Sequence, residues 1–100
     1  MSTALRIERV DAGQVRIAGE LGFANAEEGV ARSGELVGNG ADLTVDLAGL
    51  TRADSATLGV LLIWASRAAS RGAHLRFSNV PDGLRALARL CDAEPLLGIA

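Results

Sequence analysis

The sequence is poor in several residue types on which whole classes of protein depend. It has one cysteine, one histidine, two prolines and three aromatic residues, and all ten of its basic residues are arginine. The lone Cys91 excludes an intramolecular disulfide and a cysteine-ligated metal cluster, and we expect its thiol to be buried on an apolar helix face. The lone His74 has no neighbouring nucleophile or orienting acid, so no catalytic triad is expected. We therefore expect no enzyme activity, no bound metal and no cofactor.

Long apolar runs and clustered positive charge are also missing. No stretch approaches the roughly 20 apolar residues of a membrane span, and charged residues among the first eleven leave no room for a signal peptide. A net charge of -2 without a basic cluster argues against nucleic-acid binding. The 49% of hydrophobic residues can build one modest core. We expect a cytoplasmic protein in which residues 1–100 form a single domain.

Periodicity along the chain predicts an α/β fold. Two alternating segments around Asp11–Gly13 indicate an antiparallel hairpin, and Gly29 and Gly34 weaken the first helix. A glycine-rich turn at 38–40 precedes a third strand, and the conformation of 93–100 is left unassigned. The predicted elements are strands at 4–10 and 14–18, a helix at 23–37, a strand at 43–47, a helix at 56–71, a strand at 75–77 and a helix after Pro81. This β-β-α-β-α-β-α order predicts a mixed four-stranded sheet with helices.

The long helix after the third strand carries apolar residues on more than one side. Leu58, Leu61 and Leu62 are spaced to pack on the sheet, which places Val60 and Trp64 toward the outside. An outward Trp beside a branched aliphatic residue is typical of a protein–protein interface. The alternative is that the last helix or the C-terminal tail covers Trp64.

The start of this helix is the strongest candidate site. Asp54 and Ser55 stand where a side chain accepts hydrogen bonds from the first free backbone amides, and where a partner's carboxylate or a phosphate would be accommodated. Asp46 and Asp54 flank the preceding loop. Because no nucleophile or further ligands accompany them, we expect structural hydrogen bonds rather than acid/base catalysis or Mg²⁺ binding.

The residues from Val45 to Leu62 resemble the signature of STAS domains. In that family an Asp-Leu-Ser-Gly-like strand end leads to an Asp-Ser-Ser-Gly-Leu-Gly-like turn, and this chain reads Asp54-Ser55-Ala56-Thr57-Leu58-Gly59. The resemblance extends over residues 15–97 and implies a STAS-like α/β domain. The family's phospho-accepting serine, the second of the pair, falls on Ala56.

The departure at Ala56 favours the MlaB-like branch of the family, which supplies small subunits to phospholipid-transporting ABC complexes. That resemblance implies a non-catalytic cytoplasmic accessory subunit, peripheral to the inner membrane through the ABC ATPase it binds, with a role in outer-membrane lipid asymmetry. Its partner contacts would be Ser55, Thr57, Val60 and Trp64. The alternative is an anti-sigma factor antagonist phosphorylated on Ser55 or Thr57, and a weak homodimer is also left open.

Overall fold

A computed structural model describes residues 4–37 and 40–98, so the turn predicted at Gly38 and Asn39 lies outside the described residues. The helices and strands follow one another in the predicted order, with the first helix divided and a short last helix added. In chain order they are β1 (Arg6–Asp11), β2 (Gln14–Leu21), α1 (Ala26–Ala31), α2 (Gly34–Val37), β3 (Leu43–Ala53), α3 (Ser55–Ala69), β4 (Leu75–Ser78), α4 (Asp82–Leu90) and α5 (Glu94–Leu97).

The four strands form one mixed sheet in the order β1-β2-β3-β4. β1 and β2 are an antiparallel hairpin, whereas β2 with β3 and β3 with β4 are parallel. Val15, Val45 and Phe77 lie side by side across three strands, and all three are buried against the helices. Their sequence neighbours Arg16 and Asp46 point to the opposite, solvated face. The predicted fold class, an α/β domain with a mixed sheet, is confirmed.

β3 is longer than the sequence indicated, because it continues through the segment predicted to be a loop. Its pairing with β2 shifts register twice, between Arg16 and Ala18 and between Gly19 and Glu20, so bulges absorb the extra residues of β3. Gly49 lies at the first bulge, where a Cβ atom would stand 2.8 Å from the Ile17 carbonyl oxygen. The strand therefore runs directly into α3, with a single residue between them.

The predicted helix at 23–37 is two short helices preceded by a loop. The chain turns at Arg32 and Ser33, and Phe23 lies in the loop with 75% of its surface exposed, so its predicted packing on the helix face is wrong. Arg32 holds the turn by pairing with Glu28 and Glu35, with nitrogen–oxygen distances of 3.4 and 2.7 Å. The hydrogen bond from Arg32 lowers the pKa of Glu35.

Helix α3 is the centre of the helical layer and packs against α1, α2, α4 and α5. The prediction that Val60 and Trp64 face outward is wrong: Val60 is 2% exposed and Trp64 is fully buried. The Trp64 Nε1 donates a hydrogen bond of 2.9 Å to the Gly29 carbonyl of α1. A Cβ atom at Gly29 would lie 2.8 Å from Leu21 Cδ1 of β2 and 3.1 Å from Val60 Cγ1 of α3, so the missing side chain lets α1 lie close against both. Helices on both sides explain why α3 is apolar nearly all round.

The C-terminal part closes the other side of the core. Leu84 and Ala88 of α4 are buried, and the unassigned tail contains α5, which buries Leu97. Cys91 is exposed, contrary to the prediction, because α4 ends at Leu90 and the helical periodicity stops there. Among the described residues, no helix combines the length and apolarity that crossing a membrane requires.

Replacement of Trp64 by Ala tests whether this side chain belongs to the core. We expect the free energy of unfolding to fall by about 3–5 kcal/mol, because a large buried ring and its hydrogen bond are lost. The matched control is Ile63→Ala, on the exposed side of the same turn, which should cost less than about 1 kcal/mol. Urea unfolding followed by circular dichroism measures both. If Trp64→Ala lowered the free energy of unfolding by less than about 1 kcal/mol, the assignment of Trp64 to the core would be contradicted.

Candidate functional site

The start of α3 is closed by a reciprocal cap between Asp54 and Thr57. The Asp54 Oδ1 accepts hydrogen bonds from the Ala56 and Thr57 amides, at 2.8 and 3.3 Å. The Thr57 Oγ1 in turn accepts from the Asp54 amide at 2.9 Å. This is a capping box, in which two side chains satisfy backbone donors that a helix terminus otherwise leaves free.

Thr57 also ties α3 to the end of β2. Its side chain is fully buried, and its hydroxyl donates to the Leu21 carbonyl, the last of β2. A hydroxyl that is enclosed in the core and already hydrogen-bonded in both directions is presented neither to a partner nor to a kinase. The prediction that Thr57 is a contact or phosphorylation residue is therefore wrong, because the sequence did not show that this polar residue points inward.

The second carboxylate oxygen of Asp54 holds the loop between β2 and α1. Its Oδ2 accepts a hydrogen bond from the Phe23 amide at 3.1 Å. A Cβ atom at Gly22 would lie only 2.5 Å from this same oxygen, so the approach requires glycine. Asn25 stiffens the loop by accepting from the Gly22 amide and donating to the Glu20 carbonyl. The loop is thus fixed on Asp54 and presents the Phe23 ring to solvent.

Exposed residues from the loop, the end of β3 and the first turn of α3 form one surface. Ser55 is exposed as the first residue of α3, and Arg52 and Ala53 are exposed just before the cap. We call Phe23, Arg52, Ala53 and Ser55 the α3-start surface. Arg52 lies 3.6 Å from the carboxylate of Glu20.

A depression lies on each side of the α3-start surface. The first has a volume of about 370 Å³ and includes Phe23, Asn25 and Arg52 in its wall. The second, of about 330 Å³, runs between the start of α3 and the start of α4, with Ser55, Pro81 and Leu84 in its wall. The surface therefore offers an exposed aromatic ring and an exposed hydroxyl between two concave regions, which suits contact with a protein partner.

Asp46 takes no part in the cap of α3. Its Oδ1 accepts from the Ala48 amide and from the Asn79 side-chain amide, both at 2.9 Å, on the open face of the sheet. The hydrogen bond from Asn79, supported by that from Ala48 and by the charge of Arg16, lowers the pKa of Asp46. Within the described ranges, no three His, Cys, Asp or Glu side chains are grouped so that they could hold a metal ion.

Of the α3-start surface, sequence reasoning singled out only Ser55; it missed Arg52 and Ala53, and it misplaced Phe23. The sequence placed it on the apolar face of a helix, because Phe23, Ala26 and Val30 share a helical spacing. The available signal was the pair Gly22 and Asn25, both typical of turns, on either side of it. Such a turn places the aromatic residue at a loop tip.

Replacement of Thr57 by Val tests the junction between β2 and α3. The valine side chain has nearly the same shape, but it leaves the Leu21 carbonyl and the Asp54 amide without their partner in a buried place. We expect a loss of about 2–3 kcal/mol in the free energy of unfolding, measured by urea denaturation. Thr51→Val is the control, since Thr51 is exposed and its hydroxyl makes one long bond of 3.3 Å to the Gly19 carbonyl. Equal losses for the two variants would contradict the role of Thr57.

Comparison with known proteins identifies the family and the fold. A family model described as "Mlab, STAS domain" matches residues 5–98. Among curated proteins, none matches the chain.

Solved structures with the same fold come from several bacteria. An anti-sigma factor antagonist from Mycobacterium paratuberculosis superposes with a TM-score of 0.73 at 17% identity, over 96% of this chain and 83% of that one. The phosphorylated form of the Bacillus cell fate determinant SpoIIAA gives 0.69 at 20% identity, over 97% and 91%. The two TM-scores establish a shared fold, and at these identities they establish the fold alone. With the family model spanning nearly all of its residues, the chain belongs to the STAS domain family.

Proposed function

We propose that the chain is a non-catalytic accessory subunit that docks on the ATPase of a phospholipid-transporting ABC complex and tunes its activity. The match to a model described as "Mlab, STAS domain" supports this assignment. The contact surface is the α3-start surface, with Ser55 and Phe23 as its principal residues. The chain then acts in the cytoplasm, held at the inner membrane by its partner, and serves outer-membrane lipid asymmetry.

The observation that carries the proposal is the closed start of α3. Position 56 is alanine, which has no oxygen to accept a phosphate. Its amide already donates to Asp54 Oδ1 at 2.8 Å, and the Thr57 amide donates to the same oxygen. A phosphate placed at these amides would meet the Asp54 carboxylate, and like charges repel. The helix start is therefore suited to permanent docking rather than to a phosphate-controlled switch.

The contact has an apolar and a polar part. Phe23 is a rigid aromatic side chain with 75% of its surface exposed, and such residues dominate interface energies when a partner buries them. Ser55 adds a hydroxyl that both donates and accepts, at the positive end of the α3 dipole. A partner that places a carbonyl oxygen opposite Ser55 and an apolar pocket around Phe23 would use both parts.

Tuning of the ATPase follows from selective binding. A subunit that binds one conformation of its partner more tightly shifts the population toward that conformation, by as much as the difference in affinity allows. No catalytic group in the bound subunit is needed for this effect.

The alternative function is that of an anti-sigma factor antagonist. Two observations favour it: the fold is shared with the Mycobacterium paratuberculosis antagonist, and Ser55 offers an exposed hydroxyl one residue before Ala56. In that case an anti-sigma kinase would bind the same surface and phosphorylate Ser55. The bound partner therefore distinguishes the two functions.

Affinity capture from native cells tests the proposal and its surface together. We expect the tagged chain to retain an ABC ATPase, identified by mass spectrometry, and Phe23→Ala to weaken binding to the purified ATPase by about 2 kcal/mol, roughly thirtyfold. Ser55→Asp should also weaken binding without unfolding the chain, because the Ser55 side chain is exposed. Calorimetry gives the affinities.

Matched controls lie elsewhere on the molecule. Leu90→Ala truncates a side chain that is 83% exposed at the end of α4, and Ser66→Asp adds the same charge at an exposed position in the last turn of α3. Both should bind as the unchanged chain does. Capture of a serine kinase without an ATPase would instead support the function of an anti-sigma factor antagonist. Loss of binding in the control variants would show that the contact lies outside the α3-start surface.

A further inference from the structure

We propose that two copies of the chain associate through β1, whose outer edges pair antiparallel and join the two sheets into one of eight strands. β1 is paired with β2 along one edge, and within residues 4–37 and 40–98 no strand pairs with its other edge. Val10, on this strand, is 57% exposed. An open edge offers backbone donors and acceptors that only another extended chain matches.

The occupant is a second copy because β1 is complementary to itself. In a dimer with a two-fold axis perpendicular to the sheet, opposite residues of the two strands lie on the same face. When the axis passes through Ile7, Arg6 of each copy lies opposite Glu8 of the other, and Ile7 lies opposite its own counterpart. Leu5, which comes just before β1, then lies opposite Arg9. The two Arg6–Glu8 pairs are of opposite sign and the Ile7 pair is apolar, a combination that stabilises cross-strand neighbours.

Other registers are unfavourable. An axis through Arg6, Glu8 or Arg9 places a charged side chain opposite its own copy, which destabilises a strand pair. An axis through Val10 leaves little overlap, because the hairpin turns immediately after Asp11 and the Asp11 carboxylate already accepts from the Gly13 amide at 2.8 Å. Charges on an edge strand usually prevent pairing. Here their alternating sign permits one register and excludes its neighbours.

The charged side chains are available for exchange between copies. Arg6 and Glu8 of one chain are 3.9 Å apart, with side chains 56% and 52% exposed, so their intrachain pair is weak and solvated. One short strand per copy buries less area than the roughly 1,200 Å² of a stable interface. The dimer is therefore weak, reversible and sensitive to salt. It leaves the α3-start surface, which β1 does not contribute to, out of the contact.

Sedimentation velocity over a range of protein concentration tests the dimer. We expect the mass to rise from 10.3 kDa toward twice that value at high concentration, and to fall back when salt is added. Arg6→Glu places like charges opposite each other in both pairs and should raise the dissociation constant by about tenfold or more. The double variant Arg6→Glu with Glu8→Arg again has opposite charges in both pairs, and it should dimerise again.

Two controls separate pairing from folding. Arg76→Glu makes the same change of charge on the exposed face of β4 and should leave dimerisation unchanged. Thermal unfolding shows whether the double variant is still stably folded, because Glu8→Arg places an arginine opposite Arg16 of β2. A chain that stays monomeric at all concentrations overturns the proposal. The charges of β1 would then serve to prevent edge-to-edge pairing. A dimer that is indifferent to Arg6→Glu overturns it too, and places the contact on another surface.

Discussion

The hydroxyl of Thr57 links the three elements that meet at the candidate site. It accepts a hydrogen bond from Asp54 after β3 and donates one to Leu21 at the end of β2, while its backbone belongs to α3. Each bond lies where water does not compete, so breaking one leaves a buried backbone group unpaired. The direction in which α3 leaves the sheet depends on this side chain. The placement of Asp54, and with it the loop that carries Phe23, follows from the same constraint.

The same interactions limit what the start of α3 can do. In a helix with open first-turn amides, an anion or a phosphorylated side chain finds ready donors. In this chain the Asp54 carboxylate takes those donors, and alanine stands at position 56. What remains accessible is the outside of the cap, with Ser55 on one side and Phe23 on the other. A fixed exposed surface of this kind agrees with the proposed subunit that stays bound to its partner. Because β1 contributes no residue to that surface, the proposed dimer contact does not use it.

Much of the fold could be predicted because strand and helix periodicities are local. The β1–β2 hairpin, the parallel pairing of β3 and β4, and α3 itself follow from alternation, turn residues and right-handed crossovers. The orientation of α3 could not be predicted, since a helix covered on both sides has apolar residues nearly all round. Trp64 was therefore assigned to the surface, although α1 buries it over Gly29. Thr57 and Phe23 were misplaced for the converse reason: a tertiary contact buries the polar residue, and a tight turn exposes the aromatic one.

The most direct test of the docking surface is hydrogen–deuterium exchange of the chain, alone and bound to the ATPase captured with it. Docking at the α3-start surface predicts slower exchange of the amides at 22–25 and 53–57 in the complex, with little change at the C-terminal end of α4 and in α5. Protection concentrated at the C-terminal end of α4 and in α5, with 22–25 and 53–57 unchanged, would contradict the account and place the partner on another part of the helical layer.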